Sequence, residues 1–166
     1  MIRTDFRKIL GALLDHDVEF ILVGALSAVF QGAPVMTVDV DIVHLRTEAN
    51  IAALLQALSE LDAYFRGHGD RRLVPGASHL ASNEHQLLST CFGPLDLLGT
   101  IEHGLAFEDL FSDFIDFDLN GNPLHTLSIA KYVELKEASK RPKDQARLPV
   151  LRETLRLINS PKKSDD

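Results

Sequence analysis

Three aspartates set the chemistry open to this chain. Asp39 and Asp41 stand two apart in Thr37-Val-Asp-Val-Asp-Ile-Val43, and Asp96 lies in Leu95-Asp-Leu-Leu98. Aspartate is disfavoured in strands and expensive to bury unpaired, so three of them inside apolar runs need a reason. Strand side chains at i and i+2 project from one face, about 7 Å apart. That groups Asp39 with Asp41 and turns Val38, Val40 and Ile42 toward a core. Carboxylates so crowded repel each other unless a cation lies between them. If the Asp96 run pairs beside the first, the three carboxylates converge. Hard oxygen ligands at about 2.1 Å suit Mg²⁺, which keeps several waters and bridges to phosphate oxygens. Two such ions about 3.5–4 Å apart stabilise the attacking and leaving oxygens of an in-line displacement. The competing readings leave one or more of these acids solvated at a strand end, or holding a cation for structure alone.

Glycine and lysine supply the counterpart. Gly24 ends the apolar run Phe20–Val23 and leads straight into a helix. Free N–H groups and the positive end of a helix dipole suit phosphate there. Ser27, in the same turn, adds a hydroxyl donor or is an ordinary helix residue. Lys136 shares a stripe with Ile129, Tyr132 and Val133, and a lysine on such a stripe either snorkels out or meets an anion. Lys140, Arg141 and Lys143 follow, and with Lys136 they make a clamp suited to a triphosphate; plain surface lysines are the alternative. Asp144 is placed to pin this segment through Arg141 or Lys140. His44 reads as packing, and His68, His79 and His85 lack metal-ligand spacing. Cys91 reads as a small buried hydrophobe.

The elements that must position these residues follow from hydrophobic period. Phe6, Ile9, Leu10 and Leu13 predict a helix over 4–16. Strands over Glu19–Val23 and Val38–Leu45 flank two helical turns at Ala25–Gln31, closed by Gly32-Ala-Pro34. A helix over 47–62 carries Thr47 as N-cap and a stripe of Ile51, Leu54, Leu55, Leu58 and Leu61. Tyr64–Arg66 reads as a short strand and Gly67 to Ser82 as a loop. His85–Cys91 and Leu95–Gly99 read as strands about a Phe92-Gly-Pro94 turn. Ala106–Ser112 suits a short helix, and Asn120-Gly121 signals a hairpin between Phe114–Leu119 and Leu124–Leu127. Ser128 caps a helix to about Ser139. Pro142 opens another, and Pro149 starts or kinks the last, with Leu148, Leu151, Leu155 and Ile158 on its buried face. The sum is an α/β (α+β) fold, a small mixed β-sheet flanked by helices with a C-terminal helical segment. Residues 1–127 form the core, 128–159 the helical segment packed on it, and 160–166 a disordered tail.

Composition narrows the class. With 166 residues, 45% hydrophobic and 25% charged, the chain suits one ordinary globular domain. A net charge of −7 gives no general attraction for nucleic acid, yet cations gather between Lys136 and Arg152. The lone Cys91 excludes an internal disulfide framework and a cysteine zinc cage. No run is long enough to span a membrane, and Met1–Asp5 lacks the start of a secretory signal, so a reducing cytoplasm is expected.

These residues resemble a known signature. Val23-Gly24-Ala25-Leu26-Ser27-Ala28, Gly32-Ala-Pro, Thr37-Val-Asp39-Val-Asp41-Ile and Leu95-Asp96-Leu-Leu98 are similar to motifs of the polymerase-β-like nucleotidyltransferase superfamily. Lys136-Glu-Ala-Ser-Lys140-Arg141-Pro-Lys143-Asp144 resembles the helix-turn of its AbiEii-type group, which includes toxins of type IV toxin–antitoxin systems. The resemblance spans about residues 19–151, with 67–85 unmatched. It implies the nucleotidyltransferase fold, an NTP substrate and one or two Mg²⁺ ions held by Asp39, Asp41 and Asp96, with Asp96 activating the attacking hydroxyl. It implies nucleotide contacts at Gly24, Ala25, Ser27, Lys136 and Lys140, and an NMP moved to a hydroxyl on tRNA, a protein or a small molecule. A cognate antitoxin is the partner it suggests. Ala25 stands where a second Gly or Ser is usual, and Val35 where Arg is common. The alternative they favour is a weak or inactive relative that binds nucleotide or a protein partner, as an antitoxin or sensor does.

Overall fold

The protein is described by a computed structural model over residues 3–161. Met1, Ile2 and residues 162–166 of the predicted tail lie outside the described residues. In chain order the described residues form α1 (Phe6–Asp15), β1 (Phe20–Val23), α2 (Gly24–Phe30), β2 (Val40–His44) and α3 (Glu48–Glu60). There follow β3 (Tyr64–Phe65), α4 (Ala77–Ala81), β4 (Gln86–Thr90) and β5 (Gly93–Leu97). After two 3₁₀ turns, at Glu102–Gly104 and Phe107–Leu110, come β6 (Phe114–Leu119), β7 (Asn122–Leu127), α5 (Ile129–Ala138) and α6 (Pro142–Asn159).

The strands make one seven-stranded sheet in the order β3-β4-β5-β2-β1-β7-β6. β2 runs antiparallel to β1 and parallel to β5, and β7 runs parallel to β1. β1 is buried along its whole length, and its alternating side chains divide the core. Phe20 and Leu22 join Ile9, Leu10 and Leu13 of α1 and Leu54 of α3 on one face. Ile21 and Val23 join Ile129, Tyr132, Leu148 and Leu151 of α5 and α6 on the other. Each fully buried Leu or Ile here contributes about 1.5–3 kcal/mol.

Local chemistry starts and stops these elements. Asp5, Thr47 and Ser128 accept backbone N–H bonds as the N-caps of α1, α3 and α5. Asn50 ties α3 to the sheet, accepting from the Glu19 N–H at 2.7 Å and donating to the carbonyls of Glu19 and Leu45.

Several expectations are corrected. The second strand begins at Val40, two residues later than its alternation suggests, and Val38 is 64% exposed instead of entering the core. The chain of β1 turns away at Gly24, so its last pairing is Val23 with Asp41, and the residue before Leu95 in β5 is Pro94, which has no N–H to donate. The stretch read as a loop at 67–82 contains α4, and Gly93 and Pro94 belong to β5, so the turn falls at Cys91 and Phe92. Cys91 is exposed there and is not a buried hydrophobe. Pro149 lies inside one continuous α6, and Ile158 is 51% exposed, because the packed stripe of that helix, Leu148, Leu151 and Leu155, ends one turn earlier. Among the described residues, no helix is long and apolar enough to cross a membrane.

Candidate active site

Parallel pairing of β2 with β5 sets Asp41 directly beside Asp96 in register. Strand alternation sends their neighbours Val40, Ile42, Leu95 and Leu97, all 0% exposed, into the opposite face. The two carboxylates therefore share one side of the sheet, and half-buried Asp39 stands at the entrance to β2. Gly24 closes over them. Its φ is +68°, and a Cβ there would collide with the Asp41 carboxylate. Only glycine lets the β1–α2 turn come this near.

The acids strain one another. Burial, then the charges of Asp96 and Asp39, push the Asp41 carboxyl from 3.8 up to about 7. Burial also raises Asp96, against the pull of Arg66, whose Nη2 donates to Asp96 Oδ1 at 2.5 Å. Arg66 reaches it because its own N–H bonds the Leu87 carbonyl at 3.0 Å, extending the β3–β4 pairing by one residue. Among the described residues, no three His, Cys, Asp or Glu side chains are gathered closely enough to form a finished metal cage. The predicted convergence is thus partial: one shared face and mutual repulsion, with Asp96 engaged by an arginine.

Opposite the acids, α5 and α6 present cations. Lys136 Nζ donates to Glu102 Oε1 at 2.5 Å and lies 3.6 Å from Asp144 Oδ1. Asp144 is buried and accepts from Ser139 Oγ at 2.6 Å and Arg141 Nε at 3.0 Å. Burial alone would raise Glu102 and Asp144; the hydrogen bonds and charges of these partners outweigh it and hold both carboxyls low. Asp144 therefore pins the turn through Arg141, as one of the two expected pairings has it.

Two cavities meet at this point. The first, about 350 Å³, lies between Gly24, Ala25, Asp39 and Asp41 on one side and the cations of α5 and α6, Lys143 and Arg147 among them, on the other. The second, about 470 Å³, lies past Asp41 and is bordered by Asp96, Leu87, Leu98 and Ile101. Gly24, Asp41, Tyr132, Lys136 and Arg141 border both. Ser27 is fully buried and donates its hydroxyl to the Gly24 carbonyl at 2.6 Å. It holds the turn and offers no donor to the cleft, contrary to expectation. Lys140 is exposed on the α5–α6 turn and stands outside the residues bordering either cavity.

No family model matches the chain, and no curated protein matches it by sequence. Its structure is similar to that of the lincosamide antibiotic adenylyltransferase LnuA in its lincomycin-bound crystal form, with a TM-score of 0.59 at 13% identity, over 92% of this chain and 99% of that one. It is also similar to the solution structure of the antibiotic-resistance factor ANT(2'')-Ia, with a TM-score of 0.53 at 13% identity, over 91% of this chain and 80% of that one. The chain has the nucleotidyltransferase fold.

Within this nucleotidyltransferase fold, two charged residues at the cleft escaped the sequence reading. Arg66 ends a run read as a short strand, and its pairing with Asp96 depends on β3 finding β4. Glu102 is the anion that Lys136 required, 34 residues earlier in the chain. A lysine on an apolar stripe left snorkelling and an anion partner both open, and nothing local named which residue the anion would be.

Proposed function

We propose that the protein is a metal-dependent nucleotidyltransferase, moving an NMP from an NTP to a hydroxyl acceptor. The observation that carries this reading is the in-register pair Asp41 and Asp96 facing Lys136 across a cleft. The first cavity takes the nucleotide. Lys136, Arg141 and Lys143 meet its phosphates, while Gly24 and Ala25 form the wall on the acid side. Lys140 adds charge from the rim.

Mg²⁺ suits the donor set, because carboxylate oxygens are hard ligands and a cation is what their repulsion lacks. Asp39, Asp41 and Asp96 would hold one or two ions, which supply charge neutralisation at the reacting phosphate. The remaining work falls to the chain: Lys136 orients the phosphates, and Asp96 accepts the proton of the attacking hydroxyl. Such transfer is mostly positioning and electrostatics, within the means of a small domain.

Membership of the AbiEii-type group rests on the Gly24 turn, Gly32-Ala-Pro34, the Thr37–Asp41 run, the Leu95–Leu98 run and the Lys136–Asp144 motif together, and with it go a toxin role in the cytoplasm, an RNA or protein acceptor and a cognate antitoxin. Core residues 1–127 carry the acids and the segment 128–159 the cations. A second reading, a nucleotide-binding relative without transfer, is favoured by the pairing of Asp96 with Arg66 and of Lys136 with Glu102, which leaves both groups engaged. The test is incubation with each labelled NTP, Mg²⁺ and a cell extract, for wild type and Asp39→Ala. Label transfer lost in the variant is the expected result. NTP bound by both proteins and transferred by neither establishes the second reading instead.

A further inference from the structure

We propose that Arg66 is a positioning residue for the metal site: it grips one oxygen of Asp96 from the far edge of the sheet and leaves the other for the ion. This rests on the metal-dependent reading above and deepens it.

Sheet register carries the first part. Phe65 pairs with Leu88, and the Arg66 N–H continues that ladder to the Leu87 carbonyl at 3.0 Å. Leu87 pairs with Asp96, and Asp96 with Asp41. Arg66, Leu87, Asp96 and Asp41 therefore form one row that begins at the end of β3 and crosses β4, β5 and β2. Side chains along such a row share a face. Arg66 stands two strand spacings, each about 4.8 Å, from Asp96, so only a long side chain spans the gap past Leu87. It does so, and its Nη2 donates to Asp96 Oδ1 at 2.5 Å. Asp41 lies on the opposite flank of Asp96, so the carboxylate is held from the side away from its acidic neighbour.

The second Asp96 oxygen carries the rest. Among the described residues, the only buried side-chain polar atom without a hydrogen-bond partner is His44 Nδ1. Asp96 Oδ2, which no hydrogen bond takes up, is thus open to the cleft that Asp96 borders. Arg66 itself borders neither cavity, so it takes no place that an ion or substrate needs. Its guanidinium stays charged at every working pH and offsets part of the repulsion on this face. Among the described residues, Asp39 and Asp41 have no such ion-pair partner, whereas the Asp96 side chain is 12% exposed and paired. A carboxylate fixed at one oxygen and free at the other is pre-set as a ligand for a hard cation. Partners that orient a ligand in this way are worth about ten- to a hundredfold in metal affinity.

The test titrates Mn²⁺, as a probe of the Mg²⁺ site, into the full chain without nucleotide. Electron paramagnetic resonance reads the free ion, and circular dichroism checks that each variant is folded. Arg66→Gln should weaken Mn²⁺ binding about tenfold, and Arg66→Lys, which keeps the charge on a shorter stem, should weaken it less. In an Asp96→Asn background Arg66→Gln should change nothing further. If Arg66→Gln fails to fold, Arg66→Lys carries the same comparison. An arginine that only ties β3 to β5 leaves the Mn²⁺ Kd unmoved, and that result overturns the inference. So does an equal loss in the Asp96→Asn background. Tighter binding by Arg66→Gln also overturns it, because Arg66 is then a rival of the ion and Asp96 a spent group. Mn²⁺ bound by neither wild type nor variant overturns the metal-dependent reading itself, and this inference falls with it.

Discussion

Asp41 is where charge and fold pull against each other. It occupies a strand flanked by partners on both sides, and burial followed by Asp96 and Asp39 carries its carboxyl to about 7. Unfolding returns the group to its ordinary range. Between about pH 4 and 7 the unfolded chain therefore binds fewer protons than the folded one, and stability falls as pH rises through this window. Asp41→Asn removes the charge and keeps the shape. Thermal melts of the metal-free protein should place its Tm above wild type at pH 8 and level with it near pH 3, by about 2–4 °C for each kcal/mol recovered. Saturating Mg²⁺ should raise the wild-type Tm at pH 8 and leave Asp41→Asn nearly unmoved, since a ligand stabilises only the state that binds it. An unchanged or lower Tm for the variant at pH 8 would falsify the electrostatic account. The acids themselves were legible as residues out of place in apolar runs. Their unequal surroundings were not, because the guanidinium on Asp96 comes from the far edge of the sheet.

Three elements meet at Lys136: the 3₁₀ turn of Glu102, α5, and the first turn of α6 through Asp144. Glu102 lies beside Lys136 where a phosphate is proposed to bind, so the cleft carries its own competing anion. Glu102→Gln keeps the turn's shape and releases the lysine. NTP binding by this variant should tighten about two- to fivefold, the range of a partly exposed ion pair worth up to about 1 kcal/mol. Weaker binding, measured as Kd by titration, would show that Glu102 positions Lys136 and does not compete with the nucleotide. The helix supporting Lys136 was legible throughout, from the Ser128 cap to the stripe of Ile129, Tyr132 and Val133. The hairpin before it was equally legible at Asn120-Gly121, where both residues have positive φ. Strand ends were less so: alternation in Val38-Asp-Val-Asp continues past the point where β1 stops offering a partner.

The whole molecule carries a net charge of −7, and yet its cleft gathers Lys136, Arg141, Lys143 and Arg147. A polyphosphate is therefore attracted locally and repelled at long range, and salt weakens both effects. Nucleotide affinity should fall several-fold between about 50 and 300 mM NaCl, because the local attraction is the stronger and exposed charges are screened within about 10 Å at 0.1 M. A Kd that does not move with salt would remove the cation clamp from the account. At this scale sequence and fold contribute different things. The chain's own order of residues determined which segments are helix or strand, which glycine makes the tight turn, and which acids have no business in a core. Those are effects of period, propensity and single-residue cost, all written within a few positions. Only the tertiary structure decided that β5 lies beside β2, that Asp96 faces Arg66 and Lys136 faces Glu102, and that Asp41 divides two cavities. Those outcomes depend on sheet order, and a sheet brings together residues whose separation along the chain carries no local signal.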